Sequence, residues 1–554
     1  MLELKQFQRK AMRISPQDDV GVALVDLKEG EAITLAGQTV KLATNVTAKH
    51  KFAMTDFAPG HPMVMYGTVV GETLTAIARG GAITTANTRH LGASFECKRA
   101  EYVWYPPDVT RWKERTFAGF HRSDGRVGTR NYWLVVPLVF CENNNILALR
   151  RAFAKELGDT PPDTYDQYVA ELAKLYRGRR GENQYPPSSR DTRVEKSSRL
   201  FPNLDGVKFL THEMGCGGTR ADARALCGLL AGYICHPNVA GATVLSLGCQ
   251  NSEISILQEE VRERSAQFDK PLLIFDQQRS NVESSMMTAA IRETFIELAK
   301  ANEFARASAP ISALTIGLKC GGSDGFSGLS ANPAIGHVSD MLAALGGKSI
   351  LSEFPELCGV EQNLIDRCVS DEAAARFISL MRTYAARAEA AGSGFDMNPS
   401  PGNIRDGLIT DAMKSAGAAR KGGVSPVADV LDYPETATTT GLSLLCTPGN
   451  DVEAVTAQVG AGANLVLFTT GLGTPTGNPI APVMKIATNT ELAQRMHDII
   501  DFDTGGIIRG EKSIEEMGET LLEEMLRVAS GELRTKAELK VQEDFIPWKR
   551  GVSL

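Results

Sequence analysis

The sequence predicts a multidomain α/β protein, with a small all-β module at the N-terminal side and largely parallel sheets after it. Three observations carry this. Residues 15 to about 90 alternate short β-type runs with Gly-centred turns, as in GVALVDL, EAITLAGQTVKLATNV, KFAMTDFAPG and VMYGTVVGETL, which is the punctuation of short strands and hairpins. From Phe117 onward the pattern becomes strand, Gly-containing loop, helix: ALTIGLKC, then GGSDGFSGLSANP, then the apolar-periodic AIGHVSDMLAALGG and a new strand KSILSEF. Such βαβ units build parallel sheets. A chain of 554 residues also exceeds one core, and at about 150 residues per domain three or four are expected.

Each element follows from its local pattern. The segment EYVWYPPDVTRW, rich in aromatics and carrying two prolines, disfavours regular structure, so residues 93–116 read as a linker. The strand, loop and helix pattern recurs at Ala242–Cys249, at LLIFDQQ and at NLVLFTTGLGTPTGNP. A polar stretch at 179–199 reads as a solvated excursion. SIEEMGETLLEEMLRVASGE has helical apolar spacing and a glycine stop, and is expected to form an amphipathic closing helix.

Composition removes several function classes. With 43% hydrophobic and 23% charged residues the chain is ordinary for a soluble protein, and no apolar run approaches the roughly 20 residues that cross a bilayer. No membrane partner is expected. The opening MLELKQFQRKAMRIS lacks the apolar core of a secretory signal, so a cytoplasmic location with reduced thiols is expected. A net charge of -7 without long basic runs argues against nucleic acid. There is no GxxxxGK[ST], and no GxGxxG follows a strand, which disfavours kinase and dehydrogenase readings.

Five of the ten cysteines follow apolar, β-rich runs: Cys141, Cys216, Cys249, Cys320 and Cys446. In open α/β sheets the carboxyl ends of strands face the ligand crevice, so thiols there serve chemistry or metal binding, or fill strand ends as small hydrophobes. Polar Gly-rich loops accompany them, at 119–131, 211–220, 320–328, 398–403, 446–451 and 469–479, exposing N–H groups that can grip a carboxylate or polyol.

These loops, with AKHKFAMTD (48–56), NTR (87–89), SEFPEL (352–357), ATNTELA (487–493) and IDFDTGG (500–506), closely resemble the altronate and galactarate dehydratase family over nearly the whole chain. The resemblance implies an SAF-type β-clip domain at 1–92, the linker at 93–116, and two α/β domains at 117–305 and 306–554. It also implies iron-dependent removal of water from a sugar acid to give a 2-keto-3-deoxy acid. NTR and FPEL lean toward the altronate branch. A galactarate-type dehydratase, a lyase expelling sulfite from a sulfonated hydroxy acid, and a sugar-acid-binding protein without catalysis are the alternatives. A homodimer is the family-based expectation.

That chemistry needs a cationic group or metal at the substrate carboxylate, a base for the C2 proton and an acid for the departing hydroxyl. His50 and His212, in matched motifs, are candidates for metal ligation or proton transfer, and Glu353 for acid–base work. Cys216, Cys249 and Cys320, with His212 and Glu356, are the candidate ligands of Fe(II), as one iron or an iron–sulfur cluster, with Mn as substitute. Arg89, Arg130, Ser323, Asp324 and Asn403 are the candidate substrate-binding residues, Arg because its fork matches a carboxylate. The family loop commonly carries Arg and Tyr where this chain has Leu472 and Thr476, a departure that bears on the substrate.

Overall fold

Two-residue hairpins shape the N-terminal module. Ala36 and Gly37 (φ 47° and 81°), and Tyr66 and Gly67 (φ 59° and 74°), take the paired positive φ of type I′ turns. They join Ala32–Leu35 to Gln38–Lys41 and Pro62–Met65 to Thr68–Thr73. Ala11–Met12, Val20–Ala23, Lys51–Ala53 and Ala82–Ile83 form an antiparallel sheet beside them. This computed structural model describes residues 9–99, 101–157, 164–177, 199–280 and 282–554, so the polar stretch at 179–199 lies outside the described residues except for Arg199.

Two parallel sheets follow the all-β module. The smaller runs in the order Gly206–Phe209, Tyr132–Pro137, Val239–Ser246, Leu272–Asp276. The larger has seven strands, with Thr315–Cys320 at its centre between Lys348–Leu351 and Leu465–Thr470. Their central strands are buried along their whole length, as the near-continuous apolar runs require when helices cover both faces. Thr116–His121 pairs antiparallel with Ala307–Pro310, closing the second unit back on the start of the third. Residues 93–99 and 101–109 hold no helix or strand, and they lie along the C-terminal unit, where the Tyr102 hydroxyl donates to Val424 O at 2.6 Å.

Shared cores join the units. One apolar cluster combines Phe57, Met63 and Val70 of the β module with Ile316, Phe354 and Leu522. Another combines Leu230 and Tyr233 of the second unit with Val455, Phe468 and Phe545 of the third. The amphipathic helix is Ile514–Ala529, opened by a Ser513–Glu516 capping box and followed by Gly531 at φ 74°. The chain then continues to a short helix, Lys536–Leu539, and a tail lying on the second unit, where Arg550 N–H donates to Asp222 Oδ1 at 2.9 Å.

Arg130, expected to bind substrate, instead fastens this tail. Its guanidinium meets the Glu538 carboxylate at 2.7 and 3.0 Å and also donates to Thr129 O and Val528 O, which commits its donors to structure. Burial works against Glu538 ionising, yet Arg130 holds its carboxyl down at about 2. His212, expected at a metal, is a neutral structural imidazole. Nδ1 accepts Met214 N–H at 3.1 Å and Nε2 donates to Pro137 O at 2.8 Å, so neither nitrogen is available. His236 repeats the motif with Asn238 N–H and Ala463 O. Burial lowers His212 to about 4 and His236 to about 3.

Two predictions follow from these groups. Arg130→Ala leaves Glu538 buried and unpaired and should cost about 3–5 kcal/mol in heat- or denaturant-induced unfolding, whereas Arg130→Met with Glu538→Leu should recover most of it. An unchanged single variant would exclude the clamp. An imidazole held below its ordinary value near 6.5 contributes its full stability above that pH and loses it as the pH falls toward 4, by ~3 kcal/mol for His212. His212→Asn should flatten the acid limb of the stability profile, and an unaltered slope would show that the ring is not the titrating group.

Candidate active site

The strand Thr315–Cys320 ends in two chemically active residues inside an apolar layer, and everything around them compensates for that burial. Lys319 meets Glu353 and, at 2.9 Å, Asp451 Oδ1. Lys421, in the turn Arg420–Gly422, donates to Cys320 Sγ at 2.7 Å and to Glu353 Oε2 at 2.9 Å. Lys414, on the helix Asp411–Ala419, lies 2.9 Å from Glu356 Oε1, and the Cys320 thiol donates to Glu356 Oε2 at 3.2 Å. Three buried ammonium groups thus face three carboxylates and one thiol. Sequence reasoning missed Lys319, Lys414, Lys421 and Asp451. The available signal was a lysine inside LTIGLKC and another inside DAMKSAGAA, where a charge can be buried only with a partner.

Local backbone places the acids. Glu353 is left-handed at φ 70°, ψ 60°, costing a non-glycine residue about 1–2 kcal/mol, and its N–H is held by Thr447 Oγ1 at 2.9 Å. That bend starts the turn Phe354–Leu357 and brings Glu356 beside Cys320. Asp451 opens the helix Asp451–Gly460, where the helix dipole favours a carboxylate.

The charges settle unequally. Burial raises Glu356, but Lys414, Lys421 and Lys319 overcome it and hold the carboxyl at about 2. Glu353 is pushed up by burial and by Glu356, against the pull of Lys319 and Lys421. Burial, then Glu356, push the Cys320 thiol up to about 12, so it stays protonated. Burial opposes the charge on Lys319, which Glu353 and Asp451 nevertheless hold well above the ordinary lysine range.

A cavity of about 290 Å³ opens onto this cluster, lined by Cys320, Ser323, Glu356, Asn403, Lys414 and Asp451 with Ser400, Leu472 and three glycines. That is the small end of ligand pockets and suits a molecule of sugar size. Asn403 caps its own short helix through Oδ1 and donates Nδ2 to Ser323 O at 2.7 Å, tying two parts of the wall. Asp324 faces away from the cavity lining toward the β module, where Lys49 Nζ lies 3.1 Å from its Oδ2 and 2.8 Å from Asp406 Oδ1. His50 Nε2 donates to Arg405 O at 3.0 Å, and Lys51 Nζ donates to Gly407 O. Gly325 and Gly407 permit the approach, since a Cβ on either would meet Lys49 O at 2.4 or 2.3 Å. The module therefore braces the wall, and His50 is not among the lining residues.

The other expected residues lie elsewhere. Arg89 is exposed on its strand, paired with Glu72 at 2.5 Å. Cys216 and Cys249 are exposed on loops of the smaller sheet and do not gather with Cys320, because the thiols belong to different sheets. Among the described residues, Cys320, Glu353 and Glu356 form the group whose donor atoms lie within 4.8 Å of one another, close enough to hold one metal ion. One thiol and two carboxylates suit a divalent transition metal, but its binding would expel the Cys320 proton and compete with the ammonium groups already on those atoms.

Family models match in three successive blocks: the altronate/galactarate dehydratase SAF domain over residues 9–91, the second domain of D-galactarate dehydratase/altronate hydrolase over 119–302, and the C-terminal domain of D-galactarate/altronate dehydratase over 311–553. The altronate dehydratase of Bacillus subtilis is 33% identical over 546 residues, covering 98% of this chain and 99% of the relative. That of Escherichia coli is 32% identical over 547 residues, with 98% and 99% coverage. Galactarate dehydratase (L-threo-forming) of Escherichia coli is 29% identical over 535 residues, 96% of each chain. With its SAF module, its two parallel-sheet units and this full-length likeness, the chain belongs to the altronate/galactarate dehydratase family.

Proposed function

We propose that the protein is a hydro-lyase that removes water from an altronate-like aldonate to give a 2-keto-3-deoxy acid. The observation that carries this reading is the cavity in which Lys414, Asp451, Glu356 and Cys320 meet small polar groups, within a chain related over its full length to altronate dehydratases. Among the described residues, Lys414 is the one cation that lines the cavity. It takes the substrate carboxylate, and with Lys421 and Lys319 behind it stabilises the negative charge that grows there as the C2 proton leaves. Ser323, Ser400 and Asn403 hold hydroxyl groups.

Two carboxylates line the cavity, and Glu356, held at about 2 by its lysines, is committed to its ion pairs. Asp451 therefore accepts the C2 proton and returns it to the departing 3-hydroxyl, so the elements of one water leave and the proton count closes. Cys320, Glu353 and Glu356 are the residues that would hold a divalent metal such as iron, which when bound supplies Lewis acidity to the carboxylate. Glu353, not itself a lining residue, fixes Lys319 and Lys421.

A single lining cation supports an aldonate over an aldarate, whose second carboxylate asks for a second positive group. Assayed anaerobically with ferrous or manganous ion, altronate should yield the keto-deoxy acid and no sulfonated hydroxy acid should release sulfite. Absence of product from every aldonate and aldarate would overturn the reading. Asp451→Asn should lower kcat by about 10²- to 10⁴-fold while the far-UV spectrum is kept, because Glu353 still pairs with Lys319. Leu472→Arg adds a cation to the wall and should raise kcat/KM for galactarate relative to altronate, and no shift in that ratio would remove Leu472 from specificity.

A further inference from the structure

The smaller parallel sheet carries a second concentration of sulfur. Cys141, Cys216 and Cys249 follow three adjacent strands, Tyr132–Pro137, Gly206–Phe209 and Val239–Ser246, at their carboxyl edge. All three are exposed, whereas Cys227 and Cys235 of the same unit are buried in the helix Arg220–Cys235. An exposed free thiol invites oxidation, so three of them on one edge ask for a function that packing does not supply.

The loops that bear them are built together. Phe140 N–H donates to Met214 O at 3.0 Å, which joins the first loop to the second, and Asn251 N–H donates to Gly215 O at 2.9 Å, which joins the second to the third. Ser252 Oγ bridges Leu138 O and Gly215 O. A Cβ on Gly215 would strike Leu138 O at 2.4 Å and Ser252 Oγ at 2.9 Å, so all three loops touch at that glycine. His212 locks the start of the middle loop through Met214 N–H. Gln278 Nε2 donates to Cys249 Sγ at 3.1 Å, and Lys549 lines the same small hollow as Cys216.

The sulfurs do not gather within 4.8 Å as ligands of one ion would. A cluster places its thiolates on separate irons and tolerates a wider spacing. We propose that Cys141, Cys216 and Cys249 hold an iron–sulfur cubane at this sheet edge, a metal site separate from the Cys320, Glu353 and Glu356 group. Three thiolates leave one iron without a protein sulfur and open to an oxygen ligand.

The test uses the full chain, reconstituted anaerobically with ferrous iron and sulfide and then desalted. Iron and acid-labile sulfide should be retained in equal amounts with broad visible absorbance. Both should be lost in each of Cys141→Ser, Cys216→Ser and Cys249→Ser, which sit on exposed loops and should keep the far-UV spectrum of the apoprotein. Both should be retained in Cys97→Ser, Cys320→Ser and Asp451→Asn, which separates this site from the cavity. A parent protein that retains no sulfide, or a chromophore surviving in the triple serine variant, would overturn the proposal.

Discussion

Three ammonium groups buried at the end of one strand set the terms for the rest of this molecule. An unpaired charge at that depth would cost several kcal/mol, so Lys319, Lys421 and Lys414 each require an acid placed to hydrogen-bond distance. The acids arrive from two other places in the chain: the turn after Lys348–Leu351, which supplies Glu353 and Glu356, and the start of the helix Asp451–Gly460. The left-handed conformation of Glu353 is the local cost of bringing its carboxylate between two lysines. A cluster so cross-linked has little freedom to rearrange, and it presents positive potential to a small cavity without waiting for a ligand to organise it.

The β module belongs to the same logic. Its sheets do not enter the cavity, yet Lys49, His50 and Lys51 each bond to the segment 405–407, just past Asn403, and Lys49 also grips Asp324, just past Ser323. Burial draws Lys51 down to about 7, against the opposing pull of Asp324. The module therefore acts on the site through two backbone carbonyls and the carboxylates of Asp324 and Asp406, as a brace for two wall segments.

The architecture was legible because its signals are local. Glycine-centred turns marked the β module, and apolar runs ending in Gly-rich loops marked the parallel strands, as at Thr315–Cys320. The site was legible in part. Cys320, Glu356, Ser323 and Asn403 line one cavity, and Glu353 stands behind it beside Cys320 and Glu356. Arg130 and His212 looked equally functional in sequence, but their partners, Glu538 and Pro137 O, lie 408 and 75 residues away and cannot be inferred from spacing. Lys319 and Lys414 escaped notice for the opposite reason: a lysine in one strand or helix resembles a solvent-facing residue until the second layer of the fold is known.

The separation of Arg130 from Glu538 also has a meaning in time. At the usual elongation rate, 408 residues take roughly 20 to 80 s to synthesise, so the second unit leaves the ribosome long before the carboxylate that completes it exists. Through that interval a guanidinium destined for burial stays hydrated, and the groove later covered by the tail remains open. Nascent chains of this protein thus carry the second unit through that interval without the carboxylate that pairs its buried guanidinium.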